Sequence, residues 1–316
     1  MTDETEFGKL AERHRHELQV HCYRMLGNFE DAEDVVQETL VRAWRARDGF
    51  TGTGFRAWLY KIATNASLDT IRRKKRQVTA AESIAEVAWL QPYPDHLLDL
   101  ATPPDAEPAA MAVARETIEL GFLVAIQLLP AQQRAILVLR DVLDWSAKET
   151  AELLDTTVAG VNSALQRARA TLRDKVPARD EATPDTPPDV ERDLLARYID
   201  AHQRADVSQL TDIVRDDIRI TMPPMPWVYD GVPALAPLMQ AAFGGSHGDW
   251  LLVPTMANRL PAAANYLREP GDRVFRAFKI DVVRCAGGRI AEITTFGNEL
   301  FPAFGLPPTM DPREDT

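Results

Sequence analysis

Apolar positions Leu18, Cys22, Met25 and Leu26 recur at three- and four-residue spacing in residues 7–76, as expected of helices that bury one face. The pattern predicts a helix over about residues 31–47. It is started by Asn28-Phe29-Glu30-Asp31, whose carboxylates lie where the helix dipole favours negative charge. Glycines 49, 52 and 54 then force a loop, and a third helix is expected over about 55–76. Prolines 92, 94, 103, 104 and 108 break the period between 77 and 109, which reads as a linker with one short helix. Its apolar patch Trp89-Leu90-Gln91-Pro92-Tyr93-Pro94 is expected to dock on a partner surface. Helical spacing returns over 111–176, and the Pro- and Asp-rich residues 177–188 form a second linker.

The texture changes after residue 190. A helix over about 190–205 gives way to alternating segments at 218–222, 275–283 and 289–296, with another helix at 232–242. Period-two alternation means half-buried strands. Cys285-Ala286-Gly287-Gly288 between the last two reads as a hairpin turn. The expected organisation is multidomain: an all-α segment (7–78), a linker (79–110), a second all-α segment (111–176), a linker (177–189) and an α+β domain (190–308).

Composition narrows the class. A chain of 316 residues, 45% hydrophobic, suits two or three compact domains. No apolar run approaches the ~20 residues that a membrane span needs. The acidic, polar first six residues do not read as a secretory signal. The two cysteines, Cys22 and Cys285, lie far apart and offer neither a disulfide framework nor a thiolate zinc site, which fits a cytoplasmic protein. His14, His21 and Cys22 are close in sequence, but a buried thiol with solvated histidines is the simpler reading, so neither metal nor cofactor is expected. A net charge of −11 disfavours strong DNA binding by the whole chain. Local charge matters more.

The charges are segregated. The helix over 31–47 is acidic in front and basic behind, with Val36, Leu40, Ala43 and Trp44 on its core side. The next helix joins Phe55, Trp58 and Tyr60 to Asn65 and a basic run from Arg72 to Arg76. Basic residues supply phosphate affinity, and aromatics can stack on unpaired bases. An acidic face would therefore meet protein, and a basic, aromatic face would meet DNA.

Asp31-Ala32-Glu33-Asp34-x-x-Gln37-Glu38 and Trp58-Leu59-Tyr60-x-Ile62-Ala63-x-Asn65 resemble region 2 of sigma-70 family factors of the extracytoplasmic-function group. That resemblance implies that Asp31, Asp34, Gln37 and Glu38 bind the clamp helices of the polymerase largest subunit. It implies that Phe55 and Asn65 lie near a captured base of the −10 element, and that Arg72, Arg73 and Lys74 hold phosphates. Trp58, Leu59 and Ile62 recur at core spacing.

In the second segment, Pro130 precedes a strongly apolar helix, and Ser146 and Glu149 have capping-box spacing. A helix over 147–154 ends at Asp155-Thr156-Thr157, and Thr157 is placed to cap the next helix, 158–175. Two helices joined by a short turn make a helix-turn-helix. Its second helix carries Asn162, Ser163, Gln166, Arg167 and Arg169, side-chain types that read base edges or hold phosphate. Following region 2, it resembles sigma region 4. The implied roles are −35 recognition through these residues and Thr157, and contact with the polymerase flap.

The last segment resembles the SnoaL-like branch of the NTF2-like fold, a curved sheet wrapped around helices. Tyr229-Asp230-Gly231, Asn258-x-x-Pro261-Ala262-Ala263 and Leu300-Phe301-Pro302-x-Phe304-Gly305-Leu306-Pro307 resemble the C-terminal extension of sigma-G-type actinobacterial factors. Relatives of the fold include enzymes that use an acid–base residue, for which His202, Asp230 and Asp281 are the candidates. His202, Trp227, Tyr266, Phe278, Asp281 and Phe296 are the candidate pocket residues, with core packing as the competing reading for the rings. No catalytic residue is assigned. The expected function is promoter-directed transcription initiation with core polymerase, under regulation by the C-terminal domain. An anti-sigma factor or a small-molecule ligand is a candidate further partner. A SnoaL-like enzyme or a one-component ligand sensor is the alternative.

Overall fold

The structure is a computed structural model and describes residues 4–50, 54–74, 87–101, 117–175, 186–243 and 248–312. It divides into two compact units, one carrying both helical segments and one carrying the α+β segment.

In the first unit, α1 (Glu4–Arg13), α2 (Arg15–Leu26), α3 (Phe29–Ala46) and α4 (Phe55–Arg73) form the first helical group. Every residue of α2 from Leu18 to Leu26 is buried, including Gln19, His21 and Arg24. That explains its weak amphipathicity: a helix packed on all sides needs no polar stripe. Gly27 ends α2 in the left-handed conformation (φ 66°), a geometry that costs glycine little. Asn28 then caps α3, its side chain accepting from Asp31 N at 2.9 Å.

The apolar patch at 89–94 docks on its own chain instead of a partner. Tyr93 is fully buried and packs against Tyr23 and Phe29 at 4.9 and 5.2 Å. Asn28 Nδ2 donates to Trp89 O at 2.6 Å, and Tyr23 Oη donates to Gln91 O at 2.7 Å. Aromatic packing and satisfied main-chain carbonyls together account for so apolar a sequence in a connecting segment. The short helix α5 (Asp95–Ala101) follows.

The second helical group comprises α6 (Leu120–Gln127), α7 (Ala131–Leu137, extended by a π-turn at Val138–Val142), α8 (Ala147–Leu153) and α9 (Val158–Lys175). The capping box at α8 forms as its spacing predicts: Glu149 N donates to Ser146 Oγ at 3.1 Å and Ser146 N to Glu149 Oε2 at 2.8 Å. Asp155 takes a left-handed φ of 49° in the turn before α9, and Thr157 Oγ1 accepts from Gly160 N at 3.0 Å.

This group packs on the first. Arg134 of α7 is 1% exposed and donates to Met25 O at 2.5 Å. It also reaches Gln127 Oε1 at 2.5 Å and the carbonyls of Gln127 and Leu129 at 3.0 and 3.3 Å. Tyr60 of α4 packs against Trp145 at 5.4 Å, and Lys61 pairs with Asp155 at 2.9 Å.

The second unit consists of α10 (Pro188–Gln203), α11 (Val207–Ile213), α12 (Val232–Phe243) and a mixed sheet. Its strands are β1 (Val214–Met222), β2 (Met225–Asp230), β3 (Asp249–Ala257), β4 (Leu260–Arg268), β5 (Phe275–Ala286), β6 (Arg289–Phe296) and the two-residue β7 (Thr309–Met310). The order is β2-β1-β6-β5-β4-β3, with β7 on β5 and only β1/β6 parallel. Gly287 and Gly288, at φ 62° and 71°, make the expected hairpin turn between β5 and β6. Leu194, Tyr198 and Ala201 of α10 join Leu210, Leu235, Leu252, Ala263, Val283 and Ile293 in one core between helices and sheet. Tyr266 and Phe296 lie on the opposite sheet face, where Tyr266 packs edge-on against Phe301 at 5.1 Å.

Candidate functional site

On α3, Asp34 and Gln37 are exposed and Glu38 is half-buried, bonded to Arg42 at 2.6 Å. Asp31 differs from the expected free carboxylate. It is 6% exposed and bonded to Lys74 at 2.5 Å, so one expected polymerase contact and one expected phosphate contact occupy each other. The front of α3 is thus an acidic surface carried by Glu33, Asp34, Gln37 and Glu38.

Phe55 begins α4 inside an aromatic cluster, with Phe7, Phe50 and Trp58 at 5.4, 5.6 and 5.7 Å. Asn65 is half-buried farther along α4. Arg72 and Arg73 are exposed at its end, tethered to Asp69 and Thr70 at 3.2 and 3.4 Å. Leu59 is fully buried, while Trp58 and Ile62 are half-buried.

Cys22 is buried as expected, but His21, expected in solvent, is buried beside it. His14 bonds Glu17 at 2.5 Å and His21 bonds Thr64 at 2.9 Å. Burial, aided by nearby Arg24, pushes His21 down to about 3, and burial pushes the Cys22 thiol up to about 12. His21 is therefore a neutral core imidazole.

Thr157, just before α9, and Asn162, Ser163, Gln166, Arg167 and Arg169 on it are all exposed. Val161, Ala164, Leu165 and Ala168 turn inward. Two of the outward residues are engaged within the chain. Arg169 forks onto Asp141 at 2.7 and 2.9 Å, and Arg167 reaches Ser163 Oγ at 2.6 Å. Asn162 and Gln166 stand one helical turn apart on the outer face.

In the second unit the structure gathers only part of the expected pocket. Trp227 is 53% exposed on β2, and Asp230 pairs with Arg219 at 2.7 Å. Tyr266 and Phe296 face the other side of the sheet. His202, Asp281 and Phe278 do converge, joined by residues that the alternation did not mark: Tyr198, Trp250, Asn265, Lys279 and Thr295.

Asp281 lies at the centre and is fully buried. Its Oδ2 accepts from Tyr198 Oη, Asn265 Nδ2 and Lys279 Nζ, each at 2.9 Å, and its Oδ1 accepts from Thr295 Oγ1 at 2.6 Å. Burial opposes the charge, but Lys279, His202 and the hydrogen bonds outweigh it and hold the carboxyl below its usual range. Burial and then Lys279 push His202 down to about 3. Its ring meets Trp250 and Phe243 edge-on at 5.1 and 4.9 Å.

Two sequence signals pointed here. Asn265 is the lone polar side chain in the buried run Leu260–Leu267, and a buried polar group needs a partner. Tyr198 precedes His202 by four residues, hence shares its helix face.

Comparisons with known proteins agree with these two units. The family description Sigma-70 region 2 matches residues 10–77, and Sigma-70, region 4 matches residues 120–172. The chain is 39% identical to the ECF RNA polymerase sigma factor SigG of Mycobacterium tuberculosis over 323 residues, covering 96% of this chain and 85% of that protein. It is 33% identical to the ECF RNA polymerase sigma factor SigW of Bacillus subtilis, over 54% of this chain and 89% of that protein. The crystal structure of the Mycobacterium tuberculosis extracytoplasmic function sigma factor SigJ superposes with a TM-score of 0.61 at 21% identity, covering 95% of this chain and 99% of that one.

The chain belongs to the extracytoplasmic-function RNA polymerase sigma factors. More particularly, it is of the form whose two sigma regions are followed by an α+β unit, and SigG is similar to it across nearly its whole length. It binds core RNA polymerase and directs initiation at promoters. Among the described residues, no helix is long and apolar enough to cross a membrane.

Proposed function

We propose that the acidic surface of α3 (Asp34, Gln37 and Glu38) grips the polymerase, and that Asn65, Arg72 and Arg73 serve the −10 element. Asn162 and Gln166, with Thr157, Ser163, Arg167 and Arg169 around them, serve the −35 element. Phe55 supports the −10 reader from its aromatic cluster, and Asp31 and Lys74 set the spacing of α3 and α4 through their mutual bond. The segment boundaries at residues 78, 110, 176 and 189 fit this division of labour. The protein acts where polymerase and chromosome are, in the cytoplasm.

The observation that carries this reading is the packing of the two helical groups into one unit. The −10 and −35 elements lie about 25 base pairs apart, or about 85 Å at ~3.4 Å per step. A compact unit of about 170 residues has a radius of gyration of only about 15 Å. The closed unit is therefore a resting form, and the polymerase must open it between α5 and α6 before both elements are engaged.

The C-terminal unit is a regulator without catalytic activity. A general base needs a free lone pair aimed at its substrate. All four partners of Asp281 are already in place, and burial, which pushes His202 down to about 3, leaves its imidazole too weakly basic to take a proton near neutral pH. Run-off transcription with core polymerase, comparing the full chain with one lacking residues 188–316, tests this reading. A changed yield or promoter preference is expected, and identical transcription from both forms would refute a regulatory role.

A further inference from the structure

The sheet face covered by α10 holds more hydrogen-bonding capacity than the protein uses. Around the saturated Asp281, four buried polar atoms have no partner among the described residues: both ring nitrogens of His202, Trp250 Nε1 and Asn265 Oδ1. Neutral imidazole carries one donor and one acceptor, the indole adds a donor and the amide oxygen adds an acceptor. A buried polar atom left without a partner is costly, so four in one cluster ask for an occupant.

The surroundings define what it can be. Lys279 already neutralises Asp281 at 2.9 Å, so a charged occupant would be buried without a counter-ion. The neighbouring side chains are aromatic: Phe243, Trp250 and Tyr198 all lie within 6 Å of the His202 or Phe278 rings. A bulge in β5 opposite the Asn265–Tyr266 step turns Phe278 out of the ladder and against Trp250, leaving Phe278 48% exposed at the rim. Bulges of this kind re-aim side chains beside sites.

We propose that His202, Trp250 and Asn265 form a binding site for a small uncharged molecule with both a hydrogen-bond donor and an acceptor on a ring-sized apolar body, as in a carboxamide or lactam. The donor serves Asn265 Oδ1 or the bare imidazole nitrogen, and the acceptor takes the indole and imidazole N–H groups. This inference deepens the regulatory reading of the C-terminal unit by giving it a ligand class.

The test uses the full chain with ¹⁵N-labelled tryptophan, the Trp250 indole signal being assigned with Trp250→Phe. Benzamide, benzoate and benzamidine, similar in shape but neutral, anionic and cationic, are titrated in turn. The expected result is that benzamide moves the Trp250 signal and binds about tenfold or more tighter than either ion. His202→Phe is expected to weaken benzamide about tenfold without lowering the melting temperature, because it removes two unsatisfied buried nitrogens. Calorimetry on Trp250→Phe, which keeps an aromatic ring but loses the indole N–H, replaces that variant if it is unstable. No response to millimolar benzamide, an equal response to all three probes, or contact of the indole with water alone overturns the proposal. Run-off transcription with benzamide is read separately. Binding with unchanged transcription keeps the site and rejects ligand-controlled regulation. A transcriptional effect of removing residues 188–316 without benzamide binding rejects the site and leaves the regulator.

Discussion

The guanidinium of Arg134 donates to the main-chain carbonyl of Met25 at 2.5 Å, tying the second helical group to the end of α2 in the first. Among the described residues, no carboxylate pairs with this cation. Carbonyl oxygens and the Gln127 amide alone balance the buried cation, and burial pushes it down to about 9. Replacing Arg134 with Ala leaves those acceptors unsatisfied in the core. It should destabilise the helical unit by about 3 kcal/mol, measured as denaturant midpoint. Reversing Asp155 to Lys breaks the Lys61 pair at the exposed edge and should cost under about 1 kcal/mol.

Opening of the helical unit is measurable because both native cysteines, Cys22 in this unit and Cys285 in the other, are buried. Burial pushes both Cys22 and Cys285 up to about 12, so neither labels at neutral pH. Cysteines placed at the exposed positions Val41 on α3 and Ala170 on α9 take a donor–acceptor dye pair. Energy transfer should be high in the free protein and fall sharply on binding core polymerase with promoter DNA. Transfer that stays high in a transcribing complex would contradict a closed resting form.

Acid should loosen the C-terminal unit earlier than its carboxylates alone would. His202 falls from an unfolded value of 6.5 to about 3, so the unfolded chain takes up a proton that the folded one refuses. The stability from neutral His202 is complete above about pH 6.5. It declines by about 1.4 kcal/mol per pH unit as pH falls towards 3. Asp281 adds a loss at still lower pH, because its folded carboxyl lies below the unfolded value. Melting curves between pH 7 and 4 should show this decline, and His202→Phe should flatten its upper part.

Asn162 and Gln166 are the exposed amides of α9, and amides pair with adenine in the major groove. Replacing either with Ala should cost about 1–3 kcal/mol at cognate −35 sites and relax sequence preference there. Arg169→Ala should do less, because that side chain is forked onto Asp141. Promoter competition assays separate the two outcomes.

Much of this was legible in the sequence because local signals and global fold agree. The Ser146–Glu149 cap, the Gly287-Gly288 turn and strands β5 and β6 all formed where their spacing placed them, although both strands bury successive residues instead of alternating. What escaped depended on long-range partners. The patch at 89–94 looks like a docking surface until Tyr23 and Phe29 are seen beneath it. Asp31 and Lys74 read as free charges because 43 residues separate them in the chain. Strand β4 is buried on both faces, so it lacks the alternation that marks a strand, and Asn265 within it passed unnoticed. Trp227 illustrates the converse: a large ring in the sequence suggested a pocket, but β2 sits at the sheet edge and leaves it in solvent.

Under the proposed function, the acidic face of α3 holds the polymerase. Charge reversal at Asp34 and Glu38, both to Lys, tests it most directly in a binding assay with core polymerase, alongside a melting curve. Asp34 is exposed, and Glu38 is half-buried with Arg42 of its own helix as partner, so the fold should survive. Association should weaken by about a hundredfold or more while the melting temperature stays near that of the parent. Undiminished association by a folded double variant would contradict the account.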